Sequence, residues 1–400
     1  MSGPRARAFR AFAPVYFSVF LFVAGSSAVS VLVPVYLSRQ AHLGLAAIGA
    51  VVGVYGIASL AARIPVGLLY SAGRGRGLLV GGGLLSALAF GLVPLVHGTL
   101  ALTVLMALNG LGWSIATTAQ LALLVARPPL GASTAVAMGW FSGATGLGNA
   151  VAGIVGGSLA DAAGLRVTFF VLAATPLVGA IAMWRSIGAA PAGAPMPPRV
   201  GRRLAVVRMP LAVWVGVLVM FFINCLNSIT NTFQPVLALG AGLSLTQIGV
   251  LSSIRSWASS SSRFGSGPLF ARFDPAGFTM PLVVAGTLAT CFIPSVIGSF
   301  VAQIPLFVIA GLSRGLLRVT GTADAFDAVG QNDRQHGLTS AFLYGGLDVG
   351  KIVGPVAGGV VAGAFGIATM LRVLPFAFLL LYLALAVPAR RAARPVAGMS

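Results

Sequence analysis

Four charged residues lie deep inside long apolar segments of this 400-residue sequence, away from the segment ends, where they could do chemistry. They are Arg255, Arg314, Asp348 and Lys351. A charge in an apolar environment is costly unless it is paired or hydrated, so such residues often mark a functional site. One alternative is a structural ion-pair network around Asp348. However, three of the four charges are positive, and this surplus predicts an anionic group bound beside them.

Polar residues repeat at helical spacing near these charges. Asn224, Asn227 and Asn231 recur at intervals of three and four residues, so they share one helix face. Tyr344 shares a face with Asp348 and Lys351 in a later segment. The pattern predicts a substrate site with these contacts: Arg255, Lys351, Arg314, Asn224, Asn227, Asn231 and Tyr344.

Asp348 has a separate predicted role, because no other acid falls within the core of an apolar segment. We expect it to carry a proton and to balance Lys351 when the site is empty. Arg255 and Lys351 would then contact the negative group of the substrate, since a guanidinium fork suits a carboxylate.

The remaining reactive residue types do not suggest an enzyme. Cys225 and Cys291 lie in apolar segments, and the three histidines are far apart in the sequence. The predicted cavity faces carry no pairing of His with an acid, of Cys with His or of two carboxylates. We therefore expect no catalytic site, no metal and no cofactor.

The elements that must position these residues follow from composition. Hydrophobic residues make up 58% of the chain and charged residues 8%, against roughly 25% charged in soluble domains. This excludes a soluble enzyme and predicts an all-α protein that crosses the membrane many times. Twelve segments are long enough to span it: 14–37, 45–70, 77–97, 99–124, 134–160, 166–185, 211–238, 245–271, 277–297, 300–320, 337–363 and 366–388.

Arginine placement predicts the orientation of these spans. With a cytoplasmic N-terminus, sixteen arginines fall on the cytoplasmic side and three (Arg39, Arg166 and Arg372) on the other. That asymmetry is the positive-inside bias, so we expect both termini in the cytoplasm. It also accounts for most of the net charge of +19, which therefore indicates topology and a lipid bilayer rather than nucleic acid.

The chain divides into two similar halves. Residues 186–210 read as a cytoplasmic linker between six-helix bundles at 1–185 and 211–400. Arg63 and Gly67 match Arg263 and Gly267, and Ile48-Gly49 matches Ile248-Gly249, each at an offset of 200 residues. Two repeats of six spans insert the same way up, which predicts a parallel repeat about the membrane normal.

With this plan, the chain resembles a transporter of the major facilitator superfamily over essentially its whole length. The family's loop motif G-x-x-x-D-R-x-G-R-R is only partly present from Gly67, because Ser71 stands in place of the acid. The family's G-P-x-x-G-G run is intact from Gly354 to Gly359. The resemblance and the repeats together imply these gating or structural residues: Arg63, Gly67, Arg74, Arg76, Arg263, Gly354, Pro355 and Gly358.

The expected function is secondary active transport by alternating access in a bacterial cytoplasmic (inner) membrane. We expect a monomer that moves a small organic anion or zwitterion and is coupled to protons. One alternative is a proton-driven exporter of hydrophobic or cationic drugs, which the surplus of intramembrane positive charge argues against. The other is a membrane sensor with the same fold that transports nothing, since a fold does not fix a function.

Overall fold

The computed structural model describes residues 4–69, 74–126, 134–186, 209–273, 275–329 and 333–393. These residues form α-helices and two short 3₁₀ segments, which confirms the predicted all-α class. The helices are α1 Pro4–Arg39, α2 Leu45–Leu69, α3 Gly75–Leu92, α4 Thr99–Ala126, α5 Thr134–Ser186, α6 Leu211–Gly240, α7 Leu245–Phe270, α8 Pro275–Phe292, α9 Phe300–Asp327, α10 Asp333–Phe365 and α11 Ile367–Ala393.

Helix α5 contains a break that corresponds to two of the predicted spans. It has 53 residues, which at about 1.5 Å per residue is more than twice the thickness of a bilayer core. Gly164 interrupts it with φ 81° and ψ 159°, a conformation that residues with a Cβ rarely adopt. The described chain thus has eleven helices, and the count of twelve spans stays a prediction that rests on this division of α5.

Ten helices in the described part of the chain are long and apolar enough to cross a membrane. Helix α7 is not among them. Its sequence is rich in serine and contains Arg255 and Arg263, so its hydropathy is low for a membrane helix. A helix of this composition needs polar neighbours or water along one side.

The chain forms two compact units whose boundaries differ from a simple division at the linker. The first contains Met1–Leu43, Val54–Gly201 and Ser244–Ser253. The second contains Gly44–Gly53, Arg202–Leu243 and Ile254–Ser400. The first turns of α2 therefore group with the C-terminal helices, and the first turns of α7 group with the N-terminal helices.

Glycines that match between the two halves explain this exchange. In the first unit, a Cβ added at Gly249 of α7 would lie 3.4 Å from Cα of Gly157 in α5. In the second unit, a Cβ added at Gly49 of α2 would lie 2.9 Å from Cα of Gly359 in α10. Only residues without side chains allow helix backbones to approach so closely. The repeated glycines thus serve helix packing within each unit.

The core of the second unit surrounds α6. This helix packs along α10, α11 and α9, and its residues Val219, Phe222 and Phe233 are almost completely buried. In the first unit, α1 packs mainly along α5, and α3 packs along α4 and α5. The candidate site lies in the second unit, beside α6.

Candidate functional site

A cavity in the second unit is bordered by α6, α7, α8 and α9. Its volume is about 30 Å³, which is room for about two water molecules, so a larger ligand must displace side chains of the lining. One part of its wall is apolar and another is polar. The lining residues are Phe222, Ile223, Leu226, Asn227, Thr230, Arg255, Gly286, Thr290, Ala310, Ser313, Arg314 and Leu317.

Arg255 is the most buried charge of this cavity, with 4% of its surface exposed. Its Nη2 donates a hydrogen bond to Oδ1 of Asn231 on α6. Its guanidinium carbon lies 5.6 Å from the ring centroid of Phe307 on α9, at cation–π distance. Its Nε is buried and has no hydrogen-bond partner among the described residues. A buried donor in this condition costs free energy unless an acceptor is supplied to it.

Arg314 enters the same cavity from α9 and is partly exposed. No residue in the described ranges forms a hydrogen bond or an ion pair with it. Its position follows from close packing one turn earlier, where Gly311 contacts the backbone carbonyl of Arg255. Because α7 and α9 touch at that point, both guanidinium groups reach the space beside α6.

The charge balance of the cavity is its main electrostatic feature. Among the described residues, its lining contains Arg255 and Arg314 and no acidic residue. The other polar groups of the lining are neutral. They include the amide of Asn227 and the hydroxyls of Thr230 and Thr290. Two guanidinium groups in a mostly buried space repel each other and favour a bound anion, because an arginine does not lose its charge in proteins.

Lys351 and Asp348 form an ion pair on α10. Nζ of Lys351 lies 3.4 Å from Oδ1 of Asp348. The carboxylate side chain is 2% exposed and the lysine side chain 29%. Neither residue lines the cavity. Lys351 and Arg255 are therefore not both in this lining, and their joint contact with a substrate stays a prediction.

The three predicted asparagines of α6 have different surroundings. Asn227 lines the cavity, and Asn231 holds Arg255. Asn224 is buried, and its Nδ2 donates to the backbone carbonyl of Leu347, so it links α6 to α10. Tyr344 is 46% exposed and is not part of the cavity lining.

Two more arginines continue the positive charge along α7 and α9. Arg263 donates from Nε to the carbonyl of Ser259 and from Nη2 to Oγ of Ser260, at 3.2 Å each. The guanidinium carbon of Arg318 lies 5.9 Å from the ring centroid of Tyr344. Neither Arg263 nor Arg318 lines the cavity. Substitutions of these two arginines can therefore serve as controls for substitutions of Arg255 and Arg314.

The remaining predicted gating residues lie at helix ends. Gly67 is exposed near the end of α2, and Arg63 is partly buried one turn earlier. Arg74 precedes α3, and Arg76 donates from Nη2 to the carbonyl of Trp184 at 3.0 Å. The substituted motif position Ser71 lies outside the described residues.

The glycine and proline run of α10 packs against α6 and α2. Gly354 faces the carbonyl of Cys225, and Gly358 faces the ring of Phe233. The carbonyl of Pro355 lies against Gly49. These contacts show close helix packing at all three predicted positions.

Several residues near the cavity were not predicted from the sequence. Phe222, Thr230, Thr290 and Ser313 line it, and Phe307 supports Arg255. Thr230 lies three residues after Asn227, so helical periodicity was an available signal for it. Thr290 and Ser313 are each one of three hydroxyl residues in a mostly apolar helix, and nothing in the sequence distinguishes them from the others. Within the described residues, no group of three His, Cys, Asp or Glu side chains has an arrangement that could hold a metal ion.

Asp161 forms a polar contact that was also not predicted. It lies in α5 and accepts hydrogen bonds at the beginning of α7, within the first unit. Its Oδ1 accepts from the backbone N–H of Leu245 at 3.1 Å, and its Oδ2 accepts from the backbone N–H of Thr246 at 2.7 Å. The Thr246 hydroxyl also donates to Oδ2, at 2.6 Å. A carboxylate at a helix N-terminus is favourable because that end carries free N–H groups and positive dipole charge.

Comparisons with known proteins agree with this architecture. A crystal structure of a mutant of the nucleoside transporter NupG has a TM-score of 0.79 and 14% identity, covering 94% of this chain and 99% of that one. A bacterial homologue of the human lysosomal transporter Spinster, in its inward-facing unoccupied conformation, has a TM-score of 0.77 and 15% identity over 100% of both chains. At this identity the likeness shows the fold alone.

The sequence itself gives a more specific assignment. No curated protein matches it. The sequence pattern of the Major Facilitator Superfamily matches residues 15–337, which is most of the chain. The predicted resemblance is therefore confirmed, and it indicates a multi-pass membrane transporter rather than an enzyme. This chain belongs to the Major Facilitator Superfamily.

Proposed function

We propose that this protein is a secondary active transporter that moves a small organic anion or zwitterion by alternating access. It acts as a monomer in a bacterial cytoplasmic membrane. The observation that carries the proposal is the cavity of the second unit, whose described lining residues include Arg255 and Arg314 and no acid. Uncompensated charge inside a membrane protein is rare and favours a ligand of opposite charge.

The arginines and their neighbours have different roles in the proposal. Arg255 is fixed by Asn231 and Phe307, so its unsatisfied Nε is held ready for an anionic oxygen. Arg314 has no such support and adjusts to the ligand. Asn227 and the hydroxyls of the lining orient polar groups of the substrate, and Phe222 contacts its apolar part.

We further propose that Asp348 carries the coupled proton. Its carboxylate is almost fully buried and is paired with Lys351, so protonation would weaken this ion pair. Transport by Asp348→Asn should then lose its dependence on a pH gradient while substrate binding persists. Full pH-gradient coupling in this variant would exclude Asp348 as the carrier.

A thermal-shift screen of the purified protein tests the substrate class. The ligands are organic acids, amino acids and lipophilic cations, each applied to the wild type and to Arg255→Gln. Binding to the folded state raises the melting temperature by mass action. We expect stabilisation by anions or zwitterions that Arg255→Gln abolishes. Stabilisation by lipophilic cations that is unchanged in the variant would favour a drug exporter instead.

A further inference from the structure

We propose that the cavity binds a dianion attached to an apolar body, because Arg255 and Arg314 line it together and no acid in the described part of the chain lines it beside them. This inference rests on the proposed function and narrows its substrate class. Two kinds of compound meet the description. One carries a single doubly charged group, such as a phosphate monoester, and the other carries two carboxylates.

The charges in the cavity favour a dianion over a monoanion. Lys351 is paired with Asp348 on α10 and is not part of the cavity. Removing that pair from the count leaves two guanidinium groups within one cavity. A bound monoanion would leave one of them uncompensated in a largely buried space, whereas a dianion neutralises both.

The hydrogen-bond donors of Arg255 and Arg314 that have no described partner favour the same class of ligand. Arg255 uses Nη2 for Asn231, and its buried Nε has no partner in the described part of the chain. Arg314 uses none of its donors on a described residue. Each guanidinium has five N–H donors and a carboxylate has about four acceptor sites, so a single carboxylate would leave several of these donors without a partner.

The apolar part of the cavity wall favours a ligand with an apolar body. Phe222, Ile223, Leu226 and Leu317 present apolar surface beside the two arginines. Inorganic phosphate or sulfate would leave this surface in contact with water, whereas an aryl or alkyl group would cover it. The cavity volume is about 30 Å³, so an aromatic ring would enter only by displacing these apolar side chains.

The test compares probes that share one ring and differ in charge. Benzoate is the monoanion, isophthalate is the dicarboxylate, and phenyl phosphate carries one doubly charged group. Affinities are measured by titration calorimetry on the purified full-length protein. We expect isophthalate, phenyl phosphate or both to bind at least about tenfold more tightly than benzoate. The stronger of the two reveals whether the arginines share one group or hold two.

A matched pair of variants assigns any preference to the cavity. Arg314→Gln should reduce the preference for dianions to less than about threefold while benzoate affinity changes little. Arg318→Gln removes the same charge one turn further along α9, outside the cavity lining, and should retain the preference. Arg314→Lys keeps the positive charge and should retain part of it, which separates loss of charge from loss of folding.

A change of pH tests independently whether phenyl phosphate binds as the dianion. The second pKa of a phosphate monoester is about 6. Phenyl phosphate therefore loses one negative charge when the pH falls from about 7.5 to about 5. Its affinity should fall over this range if the dianion is bound, while benzoate stays a monoanion and provides the control.

The outcomes separate this inference from the proposed function. Equal affinity for benzoate and both dianions, lost in Arg255→Gln, would overturn the dianion and leave an anion transporter. The same preference in Arg314→Gln as in the wild type would also overturn it. Failure of every anionic probe, with binding of lipophilic cations instead, would overturn the proposed function itself.

Discussion

Arg255 and Asn231 join α7 to α6 through a hydrogen bond from the guanidinium Nη2 to the amide Oδ1. The bond holds the most buried cation of the cavity in one orientation, and Phe307 supports it from α9. The amide is neutral, so it fixes the arginine without neutralising it. This arrangement keeps a positive charge inside the protein and ready for a ligand.

The first prediction concerns this orientation. Asn231→Leu removes the acceptor but keeps the charge of Arg255, so anion affinity should fall by about threefold to tenfold. Arg255→Gln removes the charge and should lower affinity more than tenfold. Titration calorimetry with an anion found in the thermal-shift screen measures both. An Asn231→Leu affinity equal to that of the wild type would mean that the hydrogen bond does not position Arg255.

The second prediction concerns the ion pair on α10. Asp348→Asn leaves Lys351 without this partner, and because the lysine is partly exposed we expect a loss of about 2 kcal/mol of stability. The double variant Asp348→Asn with Lys351→Met should lose less, since no charge is left behind. Melting temperatures in detergent provide the comparison. A double variant less stable than Asp348→Asn would show that the ion pair itself stabilises the fold.

The third prediction concerns the contact between α7 and α9. A methyl group at Gly311 would meet the carbonyl of Arg255 and, at 2.7 Å, Cβ of Ala258, so Gly311→Ala should push the helices apart. We expect a cost of about 1–3 kcal/mol and weaker anion binding.

Gly345→Ala is the matched control, because an added methyl on α10 meets no atom within 4 Å there. This variant should bind anions as the wild type does. Wild-type anion affinity in Gly311→Ala would contradict the claim that this packing positions both arginines.

The fourth prediction concerns Asp161 at the beginning of α7. Asp161→Ala removes the acceptor of three hydrogen bonds, and we expect a loss of about 1 kcal/mol because the carboxylate is exposed. Thr246→Val removes only the hydroxyl bond and should cost less. The melting temperatures of the two variants test this order. The reverse order would show that the backbone hydrogen bonds contribute little.

The helices could be predicted from the sequence because their cause is local. A run of about 20 apolar residues must satisfy its backbone hydrogen bonds internally, which only a helix does within a single segment. The break at Gly164 was predicted for a similar reason, as a short polar interval between apolar runs. The units were harder to predict, because the exchange of the first turns of α2 and α7 depends on packing between distant glycines.

The site could be predicted only in part. Periodicity brought Asn227, Asn231 and Arg255 to one region, and depth along the helix added Arg314. The same depth argument also selected Lys351, which lies outside the cavity lining and beside Asp348, the partner expected for it in the empty site. Sequence position gives height in the membrane, but it does not give the direction in which a helix face points. That direction is set by contacts between helices.

The most direct measurement of the central claim is uptake of an anion into proteoliposomes. The substrate is the tightest-binding anion from the calorimetric series, in radiolabelled form, and the proteins are the wild type, Arg255→Gln and Arg318→Gln. We predict uptake by the wild type and Arg318→Gln, and a loss of at least about tenfold for Arg255→Gln. Uptake by Arg255→Gln at the wild-type rate would contradict the assignment of this cavity as the substrate site.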